Sequence, residues 1–151
     1  DWPEAQCGVV SWWQLGEVRR VVEGFRETEI VAHAEEMETS LYLALQPEHV
    51  DMEKASPDLS FPRSRHFWLD LLGRVPPGFA PPVMMTEWWS TVTKTGVVGD
   101  PTKASAGKGR MIIEAAAAEL AGIVRELRDR PILPRVKHQV AGTGITRGYE
   151  T

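Results

Sequence analysis

The chain has 151 residues, 42% hydrophobic and 25% charged, which is enough apolar material for the core of one soluble domain. A net charge of −4 with no basic cluster longer than Arg19–Arg20 argues against a nucleic-acid partner, and no apolar run approaches the ~18 residues of a membrane span. The single cysteine, Cys7, cannot form an internal disulfide, so a reducing, cytoplasmic compartment is expected, with Cys7 a buried, inert thiol and room for a targeting segment removed ahead of Asp1.

In chain order, Cys7–Trp13 is short, apolar and rich in Val and Trp, a buried strand that would leave Trp12 and Trp13 at its carboxyl end, where ligand sites of α/β sheets gather. Glu17–Phe25 carries Val18, Val21, Val22 and Phe25 at helical spacing. Glu29–Ala32 reads as a second short strand delivering His33 at its end, and Glu35–Leu45 as a helix stopped by Pro47, after which Val50-Asp-Met begins another extended piece. Residues 56–86 are Pro-rich and irregular apart from a helix predicted at Arg63–Leu72. The Trp, Thr and Val content of Glu87–Val98 predicts a strand ending at Gly99-Asp-Pro101. Thr102 or Ser105 then caps a helix through about Arg128, with Ile113, Ala116, Ala117, Leu120, Val124 and Leu127 as its apolar stripe and Arg110, Glu114, Glu119 and Arg125 facing away. Residues 135–151 carry no pattern and read as an arm or a disordered tail.

The stretch His33-Ala-Glu-Glu-Met-Glu-Thr-Ser40, followed by Leu-Tyr-Leu-Ala-Leu-Gln-Pro47, is the most informative segment. Taken alone, Glu35, Glu36 and Glu38 are acidic first-turn residues complementing a helix dipole, and His33 is a capping or packing histidine. The segment resembles the H-(G/A)-G-x-x-E-T-S signature of the creatininase family of metal-dependent amidohydrolases. Val9-Val-Ser-Trp-Trp-Gln-Leu15 resembles that family's strand ending in an aromatic pair, and Thr95-Gly-Val-Val-Gly-Asp-Pro-Thr-Lys-Ala-Ser105 with Lys108-Gly109 its C-terminal signature. These matches run in the family's order over residues 6–130.

The resemblance implies an α/β fold, here part of a creatininase-like α/β/α sandwich. Family members are about twice this long, and their N-terminal half supplies an E-x-H segment, an aspartate and an N-G-H segment, none of which occurs here. Residues 1–130 are therefore expected to be the C-terminal half of an amidohydrolase domain and 131–151 an arm. A partner chain carrying the N-terminal half, either a cleavage product or a separate subunit, would complete the site, in a higher oligomer that in this family is commonly a hexamer. The implied cofactor is a divalent metal, a dinuclear Zn/Mn or Fe centre, with Glu38 as the ligand from this chain. His33 would be the catalytic residue, protonating the leaving nitrogen or stabilising the tetrahedral oxyanion, both roles open to an imidazole. Trp13 would wall the substrate pocket. Glu29 stands where creatinine-cleaving members carry a tryptophan, which disfavours creatinine itself. Glu35 replaces a glycine, where a carboxylate would narrow the pocket or select a cationic or donor group.

His49 with Glu53, and His66 with Asp70, are single His–carboxylate pairs without a second His or Cys at ligand spacing, and His138 lacks even that, so no chemistry is assigned to the three. The expected function is hydrolysis of a non-peptide C–N bond in a small amide, cyclic amide or formamide through a metal-activated water. A catalytically silent structural or regulatory subunit is the alternative.

Overall fold

The computed structural model describes residues 5–83, 85 and 87–134. Helix α1 spans Gly16–Phe25, strand β1 Val31–His33, helix α2 Glu36–Leu45, the short helix α3 Trp89–Val92, strand β2 Val98–Gly99 and helix α4 Ala106–Asp129. Short 3-10 turns at Trp12–Gln14, Pro47–His49, Met52–Lys54 and Pro101–Lys103 connect them. Helix and sheet are thus mixed, as an α/β fold requires, but the described sheet has two antiparallel strands only.

β1 organises the interior because successive side chains of a strand point to opposite faces. Val31 joins Leu15, Val18, Val22, Met37, Leu72 and Ile112 under the helices, while Ile30 and Ala32 turn to Phe61 and Val98. Each such side chain fully removed from water stabilises by about 1.5–3 kcal/mol before conformational entropy is subtracted.

The helices are fixed to one another through their ends. α1 has no capping side chain of its own; the carboxylate of Glu119, on α4, accepts the Gly16 and Glu17 N–H groups at 3.0 and 2.8 Å. α4 is capped by Ser105, whose hydroxyl accepts the Lys108 N–H at 3.3 Å, while the Ser105 N–H donates to the Ser40 hydroxyl of α2 at 3.1 Å. Gly109 lets the two backbones meet, since a Cβ there would overlap the Ser40 carbonyl.

Several sequence expectations are corrected. Cys7–Ser11 forms no strand; among the described residues nothing pairs with it, Cys7 is exposed, and Trp12 and Trp13 lie in a 3-10 turn. The expected strand Glu29–Ala32 is shifted to Val31–His33, and α2 begins one residue late because Glu35 serves as its cap. Arg63–Leu72 is not helical. Ser64 and Phe67 exchange backbone hydrogen bonds, and the Asp70 carboxylate takes the N–H groups of Val31, Leu72 and Arg74 and pairs with Arg26. A side chain that gathers local N–H groups in this way competes with helix formation.

Glu87–Val98 is likewise no continuous strand: α3 occupies its middle, and Thr93, Gly96 and Asp58 close a turn before β2. On α4 the buried line is Gly109, Ile112, Ala115, Ala116 and Leu120, whereas Val124 and Leu127 are exposed and Glu119 faces inward to α1. Among the described residues no helix is long and apolar enough to cross a membrane. The expected arm lies outside the described residues from 135 onward.

Candidate active site

β1 ends on His33, and the chain must turn sharply to start α2. Ala34 makes that turn at φ +49°, a left-handed conformation costly for a residue with a Cβ. Its N–H donates to Glu38 Oε2 at 2.6 Å, and its carbonyl accepts the Thr39 hydroxyl at 3.2 Å, so the first turn of α2 folds back on the strand end. This brings His33 Nδ1 to 3.6 Å from Glu38 Oε2. That separation is an electrostatic contact, longer than a hydrogen bond.

The three carboxylates that open α2 have separate roles. Glu35 is fully buried as the N-cap and accepts the Met37 and Glu38 N–H groups at 2.9 and 3.3 Å. Burial pushes its carboxyl up to about 8, against the opposing pull of those two N–H groups. Beneath it runs β2, where Gly99 at φ +130° leaves no space for a side chain, because a Cβ would stand 2.5 Å from that of Glu35. Glu36, also buried, accepts the Glu27 and Thr28 N–H groups and the Lys108 ammonium, the last at 2.5 Å. Glu38 alone opens to solvent.

His33 and Glu38 border a cleft of about 650 Å³ whose walls include Trp12, Tyr42, His49 and Asp51. Trp12 forms its aromatic wall, whereas Trp13 sits edge-on to Trp12 at 5.7 Å and packs against the helical core. Glu29 lies outside the cleft and pairs with Arg63 at 2.8 Å. Glu35 is turned inward and borders none of it. His49 and Asp51, by contrast, border the cleft although no ligand spacing marked them; the only sequence signal was their closeness to Pro47, which stops α2 and turns the chain back. Asp70, paired in the sequence with His66, is committed to Arg26 and the backbone of its loop.

As a metal site, the described residues offer a fragment. Among them no three His, Cys, Asp or Glu side chains converge. Glu38 nevertheless fits a single ligand position: its Oε2 is oriented by the Ala34 N–H, and no described donor occupies Oε1. A hard carboxylate oxygen held by an outer hydrogen bond is a ligand type that Zn and Mn accept.

A family model, Creatininase (creatinine amidohydrolase), matches residues 2–124. Among solved structures, a putative creatinine amidohydrolase from Bacteroides fragilis NCTC 9343 is similar with 25% identity and a TM-score of 0.63, over 87% of this chain and 47% of that one. A structure described as creatininase Mn gives 23% identity and a TM-score of 0.55 over 81% of this chain and 43% of that one. A mutant creatininase complexed with creatine gives 24% and 0.55 over the same shares. The chain thus spans less than half the length of each of these structures. No curated protein matches. With the family model covering residues 2–124 of 151, this chain belongs to the creatininase family.

Proposed function

We propose that this chain supplies one wall of a metal-dependent amidohydrolase site that hydrolyses a C–N bond in a small amide, cyclic amide or formamide. The observation that carries the reading is the His33–Glu38 pair, 3.6 Å apart at the border of a cleft that admits a small molecule. Glu38 holds one position on a divalent metal, Zn, Mn or Fe, and the remaining ligands of a dinuclear centre come from a chain carrying the other half of the fold. Bound metal supplies an activated water and positive charge for the amide carbonyl. His33, at the end of β1 with its side chain half exposed, protonates the departing nitrogen. Trp12, at the cleft wall, offers a flat apolar surface to the substrate. Support for the class comes from the family match, and support for metal from the likeness to creatininase Mn.

Glu38→Gln tests this in the full chain assembled with the half it copurifies with. The substitution removes the anionic ligand at constant size, so metal content should fall and turnover collapse while the melting profile is kept. Unchanged metal occupancy together with unchanged turnover would show that Glu38 is no ligand. Metal content indifferent to Glu38 in an assembly without turnover would identify a catalytically silent subunit.

A further inference from the structure

We infer that Trp89 is a positioning residue for His33: its indole, carried on α3, holds the imidazole so that Nδ1 faces Glu38 and Nε2 remains for the substrate. The inference rests on the proton-carrying role proposed for His33.

His33 needs such a support. Its side chain is 52% exposed, and the 3.6 Å contact with Glu38 Oε2 is too long to fix the ring plane. Trp89 meets the imidazole edge to face, with ring centroids 5.0 Å apart and planes at 90°. This is a preferred geometry for aromatic pairs, and it restricts rotation about the outer bond of His33.

The backbone that carries the indole is tied to the strand pair that carries His33. The Thr93 N–H donates to the Trp89 carbonyl at 3.1 Å, closing α3, and the Thr93 hydroxyl donates to Asp58 Oδ2 at 2.9 Å. Asp58 exchanges backbone hydrogen bonds with Gly99 of β2 at 3.0 and 2.9 Å, and β2 pairs with β1. The hydrogen bonds that the Asp58 carboxylate accepts from Ser60, Lys94 and Thr93 hold it well below the usual carboxylate range, so this anchor stays ionised. Trp89 and His33 therefore ride on one frame. Trp89 is absent from the cleft walls, which separates positioning from substrate binding.

Two measurements decide it. In the metal-free assembly with the coexpressed other half, with this chain alone labelled at histidine, the His33 ring protons, assigned by their loss in His33→Gln, should carry a ring-current displacement that Trp89→Phe keeps and Trp89→Ala removes. A displacement that survives Trp89→Ala, or is missing from the wild type, overturns the inference. In the metal-loaded assembly with formanilide as probe, Trp89→Ala should lower kcat by about 10–10²-fold at unchanged KM, with Trp89→Phe restoring most of it. The same change should add nothing in a His33→Ala background. Equal losses in both backgrounds would show that Trp89 does not act through His33. Metal-loaded wild type that hydrolyses neither formanilide nor a simple amide nor a cyclic amide would sink the proposed function instead, and the ring-current measurement then decides the positioning alone.

Discussion

Glu35 and Glu38 lie three positions apart at the start of one helix, yet Glu35 is closed off against β2 and Glu38 borders the cleft. Because burial raises Glu35, the folded metal-free chain keeps a proton there between pH 4.5 and about 8, where the unfolded chain has lost it. The folded state binds more protons in that window, so this contribution is complete below pH 4.5 and is lost as pH rises through about 8. Glu35→Gln, neutral at every pH, should flatten the decline, whose slope is at most about 1.4 kcal/mol per pH unit. Urea midpoints of wild type and variant in the metal-free assembly with the coexpressed other half, across pH 4.5–8, check it; parallel curves would mean that Glu35 is ionised in the fold. For His33 the expectation is kinetic. His33→Ala should leave metal content near wild type and lower kcat by ~10²–10⁴-fold on an amide, with a smaller loss on an activated aryl ester of the same acyl group, whose leaving group needs no proton. Equal losses would point to oxyanion stabilisation, and lost metal to a ligand role. The His33–Glu38 meeting was legible in the sequence because a strand end and the first turn of the next helix are neighbours in the chain. The inward turn of Glu35 was not, since it depends on Gly99, which reaches it only through the tertiary fold.

The three long helices were legible, whereas α3, the bounds of the strands and the absence of a helix at Arg63–Leu72 were not, for a physical reason. α1, α2 and α4 carry their own periodicity and stops: Ser105 before α4, and Pro47 after α2. Strands need partners, and the apolar run at Cys7–Trp13 has none among the described residues, so composition alone over-predicted it. The face of α4 was misplaced because Gly109 and Ile112, not Ile113, meet α2. That contact yields a prediction at the scale of the elements. Gly109→Ala puts a methyl group into the Ser40 carbonyl and against Ala44, so α2 and α4 must separate. Overpacking of this kind costs about 1–3 kcal/mol. In the assembly with the coexpressed other half the variant should melt several degrees lower, whereas Gly122→Ala, with open space around it on the same helix, should melt at or above wild type. Equal melting of the two would show that α4 does not rest on α2 through Gly109.

At the scale of the whole molecule, apolar side chains that helices and strands usually cover stand open. Val9 is fully exposed, and Trp88 at 84%, Leu133 at 79% and Leu45 at 66% are nearly as open, while the sheet has two strands among the described residues. A two-stranded sheet is marginal by itself, and open apolar surface on this scale favours association. This chain spans less than half the length of the structures it is similar to. Expressed alone, the 151-residue chain should therefore elute as oligomers or aggregates and bind a hydrophobic dye. Coexpression with a chain carrying the other half should convert it to a defined assembly with dye binding suppressed. The two effects must move together, since both arise from the same uncovered side chains. A compact monomer that melts cooperatively and binds no dye would show that this half buries its own core, and the shared site proposed for Glu38 and His33 would lose its structural rationale.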